Sequence, residues 1–248
     1  MNVSDKICVV SAANRKSEKQ YLLTNPNKQA YCDVHGYDFK FTRLEECEYV
    51  GDPHFSKYWL VEREIRTGLY DCVAWMDVDA WFNNGSVLFR DVLGKYAKQD
   101  TALVIARDQG MMGCDERLFD NYVNTGVMAF SADDAGLELL RKYNALRENQ
   151  TARRMVEAIT TRRDQPYMCL LALVDEFTRS RTAIASPYDL NTFAQCGFSD
   201  ETFICHCPSK AAKDRLEEYM EQSKIKQNRL DRAFLDSLSS GEYFNRCF

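Results

Sequence analysis

Apolar positions along the chain follow two periods, one that fits strands and one that fits helices. The first apolar run, Ile7-Cys8-Val9-Val10, predicts a buried strand over 6–11. Residues 14–34 are polar and helix-compatible, with a break predicted near Pro26. Residues 37–42 alternate as a second strand. Residues 55–68 fit a helix, with Trp59, Glu62, Ile65 and Arg66 on different faces and Gly68 near its end. Residues 71–76 form a third strand that runs into Asp77, and 102–107 and 123–130 are further strands. Residues 133–148 read as a strong helix carrying Leu137, Leu140 and Leu146, and a second helix covers 151–162. Residues 165–177 are apolar enough for a buried helix, and 182–185 and 202–206 are short strands. From 208 to about 240 the chain reads as a charged amphipathic helix. This alternation predicts an α/β architecture. No repeat, low-complexity tract or linker interrupts it, so one domain is expected over residues 1–248, with 208–248 a helical tail.

Composition narrows the picture. Hydrophobic residues make up 45% of the 248, enough for a sizeable core. The net charge of −5 argues against a nucleic-acid binder, which carries a basic face. No stretch approaches the roughly 18 apolar residues of a membrane-spanning helix, and no signal peptide is visible. Ten cysteines are scattered without a C-x-x-C pair, and Cys8, Cys72 and Cys169 sit in apolar runs where a thiol behaves as a small hydrophobe. These features predict a cytoplasmic protein with reduced thiols, or a soluble domain cut from a longer membrane-anchored chain.

The leading chemical motif is Trp75-Met76-Asp77-Val78-Asp79-Ala80. Two carboxylates at i and i+2, at the end of a buried strand, can turn toward one hard cation such as Mn²⁺ or Mg²⁺. Asp-x-Asp alone is a weak signal, and a solvated turn is its bland reading. Its place at a strand's carboxyl end, where open α/β sheets bind ligands, raises it. Asn124-Thr125-Gly126 puts polar residues inside an apolar strand, where they need partners; a bulge without function is the alternative. Asp164-Gln165 opens an apolar helix, where Asp also serves as an ordinary cap. Lys57 offers a point charge suited to phosphate or simply a solvated helix position. The run Cys205-His206-Cys207 does not predict zinc, because neighbours on a strand point to opposite faces. His206 instead predicts a single third ligand beside Asp77 and Asp79. His35 and His54 read as structural and surface residues.

Four blocks in order resemble glycosyltransferase family 34, which contains galactosyl-, mannosyl- and xylosyltransferases. They are Tyr31 with His35-Gly36-Tyr37-Asp38, Trp75 to Ala80, Val123 to Val127, and Asp164-Gln165, and the resemblance spans roughly residues 6–215. It implies a GT-A fold, a Rossmann-like domain with a mixed, mostly parallel sheet flanked by helices. It implies a retaining, Mn²⁺-dependent (or Mg²⁺-dependent) hexosyltransferase with a nucleotide-sugar donor and a glycan acceptor. The donor expected is a UDP-hexose of galactose or glucose type. GDP-mannose, an inactive sugar-nucleotide-binding protein and a hydrolase with a carboxylate pair are the alternatives. By the same resemblance Ser11, Ala12 and Asn14 would hold the nucleoside. Asp77, Val78 and Asp79 would hold metal and diphosphate, with Lys57 on the phosphates. Asn124, Thr125 and Gly126 would meet the donor sugar, with Asp164 beside the anomeric carbon and Gln165 on the sugar face. Lys210 would meet the phosphates, with Lys213 as its rival.

Overall fold

The computed structural model describes residues 1, 6–112, 122–160 and 164–223. Its main sheet has six strands: β1 (Ile7–Ala13), β2 (Asp38–Arg43), β3 (Cys72–Met76), β5 (Leu103–Arg107), β6 (Val123–Ser131) and β7 (Thr182–Ala185). They lie in the order β2-β1-β3-β6-β5-β7, and every strand but β6 runs the same way. The sheet is therefore mixed and mostly parallel, as expected. A second, small sheet joins β4 (Ala80–Phe82), β9 (Ile204–His206) and β8 (Thr192–Phe193), with β9 in the middle.

The two-residue period of the strands sorts their side chains onto two faces. Cys8 and Val10 of β1, with Val73 and Trp75 of β3, meet helices α2 (Ser56–Ile65), α4 (Asp134–Glu148) and α6 (Gln165–Val174). Ile7, Val9, Cys72, Ala74 and Met76 face the other way, toward α1 (Glu18–His35) and α3 (Phe89–Tyr96). Helix α5 (Gln150–Ile159) follows α4 at the edge of the first layer. The helices thus flank both faces of the sheet, which is why its strands are apolar on both sides.

Four expectations need adjustment. Helix α1 does not break at Pro26 but runs through it. Thr24 donates to the Val78 carbonyl at 2.6 Å, and Asn27 exchanges two hydrogen bonds with Phe82, so both sides of the proline are tied to the 78–82 segment. The segment 165–177 is two helices, α6 and α7 (Glu176–Arg181), because Asp175 leaves the helical region and caps the second through Thr178 N. Helices α3 and α8 (Pro187–Leu190) and strands β4 and β8 were not expected. The tail is helical over α9 (Lys210–Asp214) and 216–223, and the rest of the predicted tail, with residues 161–162, lies outside the described residues. No described helix is long and apolar enough to cross a membrane.

The Tyr31…His35-Gly36-Tyr37-Asp38 block is a joint between elements. Gly36 takes φ 69° and ends α1, and Tyr37 N closes onto the Cys32 carbonyl. Tyr31 stacks on Phe82 and donates to the Val87 carbonyl, while His35 Nε2 bonds the Gly85 carbonyl at 2.7 Å. This pins the chain that leaves the Asp-x-Asp motif.

Candidate active site

A cavity of about 630 Å³ opens at the carboxyl ends of β1 and β3. Asp77 follows β3 directly, and its N–H donates to the Gly126 carbonyl on β6 at 2.7 Å. Asp79 precedes β4, whose antiparallel pairing sets Ala80 opposite His206. One more ladder bond, from Cys207 N to the Asp79 carbonyl, fixes that register. Strand pairing therefore delivers the imidazole to the motif from over a hundred residues away. His206 Nε2 lies 3.3 Å from Asp79 Oδ1 and 3.7 Å from Asp77 Oδ2, and the three ligand atoms lie within 4.8 Å of one another. Those separations suit neighbouring positions around one small cation. His206 Nδ1 is buried with no hydrogen-bond partner, so the ring is not held as a structural donor or acceptor on that side. Cys205 and Cys207 alternate away into an apolar cluster with Trp81, Ala212 and Leu216, in line with the rejection of zinc.

Gly126 explains part of this placement. A Cβ there would stand 2.6 Å from His206 Nδ1, so the imidazole occupies the space a side chain would fill. Pairing between β5 and β6 steps from Ile105↔Met128 to Ala106↔Asn124, so Thr125, Gly126 and Val127 have no opposite residue on β5, while Val127 still pairs with Met76 of β3. The bulge considered as a bland alternative is present, and it turns Asn124 and Thr125 toward the cavity.

Lys57 lies across the cavity floor from the histidine. Its ammonium contacts Asp164 Oδ2 at 2.9 Å, Asp77 Oδ1 at 3.1 Å and the Thr125 carbonyl at 3.1 Å. Three partners match its three protons, so Lys57 bridges two carboxylates while lining the cavity. Burial alone would lower its pKa, but Asp164 and Asp77 outweigh that and raise it above the ordinary lysine range. Asp164 stands at the N-cap of α6, but its side chain makes no capping hydrogen bond. Its Oδ2 accepts from Lys57, from Thr125 Oγ1 at 2.8 Å and from Tyr58 at 3.5 Å, and the residue lines the cavity. Trp75 Nε1 donates to Asp77 Oδ1 at 2.6 Å.

The far wall is a buried amide and carboxylate network. Asp108 Oδ2 accepts from Gln165 Nε2 at 2.9 Å and Asn124 Nδ2 at 3.0 Å, and Asn191 Nδ2 donates to Asn124 Oδ1 at 2.6 Å. Asp108 and Asn191 were not expected here; each lies outside a readable motif and joins the network only through the fold.

Around the rim, Ala12, Asn14 and Val78 line the cavity as expected. Ser11 does not. It is buried, turned toward α1, and accepts from Lys28 Nζ at 3.2 Å. Lys28, also unexpected, lies wholly buried beneath the motif and donates to the Asp77 carbonyl at 2.9 Å. Burial pulls its pKa down to about 7 against the pull of Asp79 and Asp77. Lys210 is exposed at the start of α9 and does not line the cavity, whereas its rival Lys213, one helical turn on, reaches Asp79 Oδ2 at 2.8 Å. Burial raises the Asp79 pKa, but His206 and Lys213 outweigh it and hold the carboxyl well below the usual range.

No protein-family profile matches the chain, and no curated protein matches it by sequence. Solved structures match its fold. A glycosyltransferase involved in the glycosylation of the major capsid of PBCV-1 aligns with a TM-score of 0.66 at 18% identity, over 87% of this chain and 99% of that one. The apo-form glycosyltransferase GlyE of Streptococcus pneumoniae TIGR4 aligns at 0.54 and 14% identity, over 92% of this chain and 64% of GlyE. The galactosyltransferase LgtC, solved with donor and acceptor sugar analogues, aligns at 0.51 and 12% identity, over 88% and 95%. The chain has the GT-A fold of these proteins.

Proposed function

We propose that the chain is a metal-dependent, retaining glycosyltransferase that moves a hexose from a UDP-hexose to a glycan acceptor. One observation carries this reading: a metal-ligand trio and an aspartate held by a buried lysine face each other across one cavity of a GT-A fold. The donor set of two carboxylates and one imidazole fits Mn²⁺ better than Mg²⁺, which prefers oxygen throughout. Asp77, Asp79 and His206 would hold that ion, which would neutralise the charge of the diphosphate leaving group.

The other residues then take distinct parts. Asp164 faces the anomeric carbon and stabilises positive charge as it develops there. Lys57 keeps Asp164 ionised and in place. Asn124, Gln165 and Asp108 hydrogen-bond the sugar hydroxyls, and the loop with Ala12 and Asn14 holds the nucleoside. Amides and carboxylates in that wall suit a neutral hexose. All of this lies within a single domain, and kinship with family 34 belongs to the same reading.

A nucleotide-sugar panel with MnCl₂ tests it by donor hydrolysis. UDP release from UDP-galactose or UDP-glucose is expected, and it should stop with EDTA. GDP release from GDP-mannose alone would replace the donor. No release from any sugar nucleotide would sink the reading.

A further inference from the structure

Asp79 is 2% exposed, and a carboxylate so buried requires a cation. Lys213 supplies one. Its ammonium sits 2.8 Å from Asp79 Oδ2, beside the space enclosed by Asp77, Asp79 and His206. The rest of its helix is anchored independently. Ser209 caps α9, and Ala212, Leu216, Tyr219 and Met220 are buried against Trp81. The lysine side chain itself is 37% exposed. It can therefore swing without moving its backbone, as a flexible four-carbon stem permits.

Resting on the proposed function, we infer that Lys213 is an internal stand-in for the divalent cation. It neutralises Asp79 in the metal-free protein, competes with the metal for that carboxylate, and so ties metal binding to the arrival of the nucleotide. Asp77, Asp79 and Asp164 are already largely countered by Lys57 and Lys213, so a divalent ion arriving alone would turn a small net negative charge into a net positive one. When a diphosphate arrives as well, the balance reverses, and the displaced ammonium gains an anion to face. The metal should thus bind weakly by itself and tightly with the nucleotide. Lys57 cannot play this part, because its three protons are already engaged between Asp77, Asp164 and Thr125.

The test is free Mn²⁺ measured by electron paramagnetic resonance, with MnCl₂ alone and then with UDP. Lys213→Met keeps the stem and removes the charge, Lys213→Arg keeps the charge, and thermal unfolding checks that each folds. For MnCl₂ alone, Lys213→Met should bind about tenfold more tightly than the native chain, and Lys213→Arg should not. Equal or weaker metal affinity in Lys213→Met would overturn the inference while leaving the proposed function standing. A native chain that binds no Mn²⁺ even with UDP would remove the metal reading and this inference together.

Discussion

Gly126 stands where three requirements meet: its carbonyl holds Asp77, it lies in the bulge of β6, and it yields space to His206. Gly126→Ala should push the imidazole off the carboxylates. A stability cost of about 1–3 kcal/mol is expected from overpacking, together with a raised Mn²⁺ requirement; a normal metal titration would show that the ring does not bind metal. Asp79 gives a pH signature. Its folded pKa is depressed, so its contribution is present above the unfolded carboxyl value of about 4 and is lost as pH falls below that. Urea midpoints of the metal-free protein should fall steeply from about pH 4 downward, and Asp79→Asn should flatten that limb; an unchanged slope would refute the pairing. Asp164→Asn should lower turnover by about 10²–10³-fold with UDP affinity kept, because its charge acts mainly on the transition state. A carboxylate tied to a buried ammonium is also a poor general base, so an α-linked donor should give an α-linked product by NMR. A β-linked product would show that Asp164 is misassigned. Asp77, Asp79 and Asp164 are legible in the sequence because each borders an apolar run. Lys28 is not, since nothing local marks a lysine that ends beneath a loop 49 residues away.

Among the elements, β9 shows how a short strand can matter more than its length. Three residues pair with β4 and set His206 beside Asp79. The sequence places a late strand here, but β4 is too short to read, so the partner that fixes the register was invisible. Helix α1 was legible in outline, but its continuity through Pro26 was not. Its inward face is Tyr21, Thr24, Lys28, Tyr31 and Cys32, at helical spacing but partly polar, because Thr24 and Lys28 support the motif loop instead of filling the core. Strands β1, β3 and β6 were legible because both of their faces are buried, leaving continuous apolar runs. His206→Ala tests the β4–β9 register as a functional device. The imidazole borders the open cavity, so its loss adds space for water and not a dry void. The metal-free melting temperature should barely move. The Mn²⁺ concentration for half activity should rise by more than about tenfold, a cost seen even for partners outside the ligand shell. A large drop in melting temperature with an unchanged metal requirement would make the histidine structural.

Over the whole molecule, one arrangement accounts for both the site and the thiols. Parallel strands end on one side, so β1 and β3 deliver Asn14 and Asp77 to a common rim, and antiparallel β6 meets them there through its bulge. The same sheet, covered on both faces, takes up cysteines as small apolar side chains. Cys8 and Cys72 lie wholly buried in it, Cys169 in helix α6 packed against it, and Cys205 and Cys207 in the cluster under Trp81. Eight described cysteines are free thiols, six of them buried, with Cys47 half-buried and Cys196 exposed. Burial pushes Cys8, Cys32, Cys72 and Cys207 up to about 12, so as thiols they are poor nucleophiles at neutral pH. Among the described cysteines, a disulfide reagent at neutral pH should therefore modify Cys196 first and Cys47 more slowly, while the buried six wait for unfolding. Under denaturant without reductant, all ten cysteines of the chain should titrate, as expected for a protein kept in a reducing compartment. Peptide mapping of the modified sites checks the order. Rapid labelling of Cys8 or Cys72 in the native protein would contradict the burial of β1 and β3. A shortfall of two or more thiols after denaturation would contradict the reducing compartment.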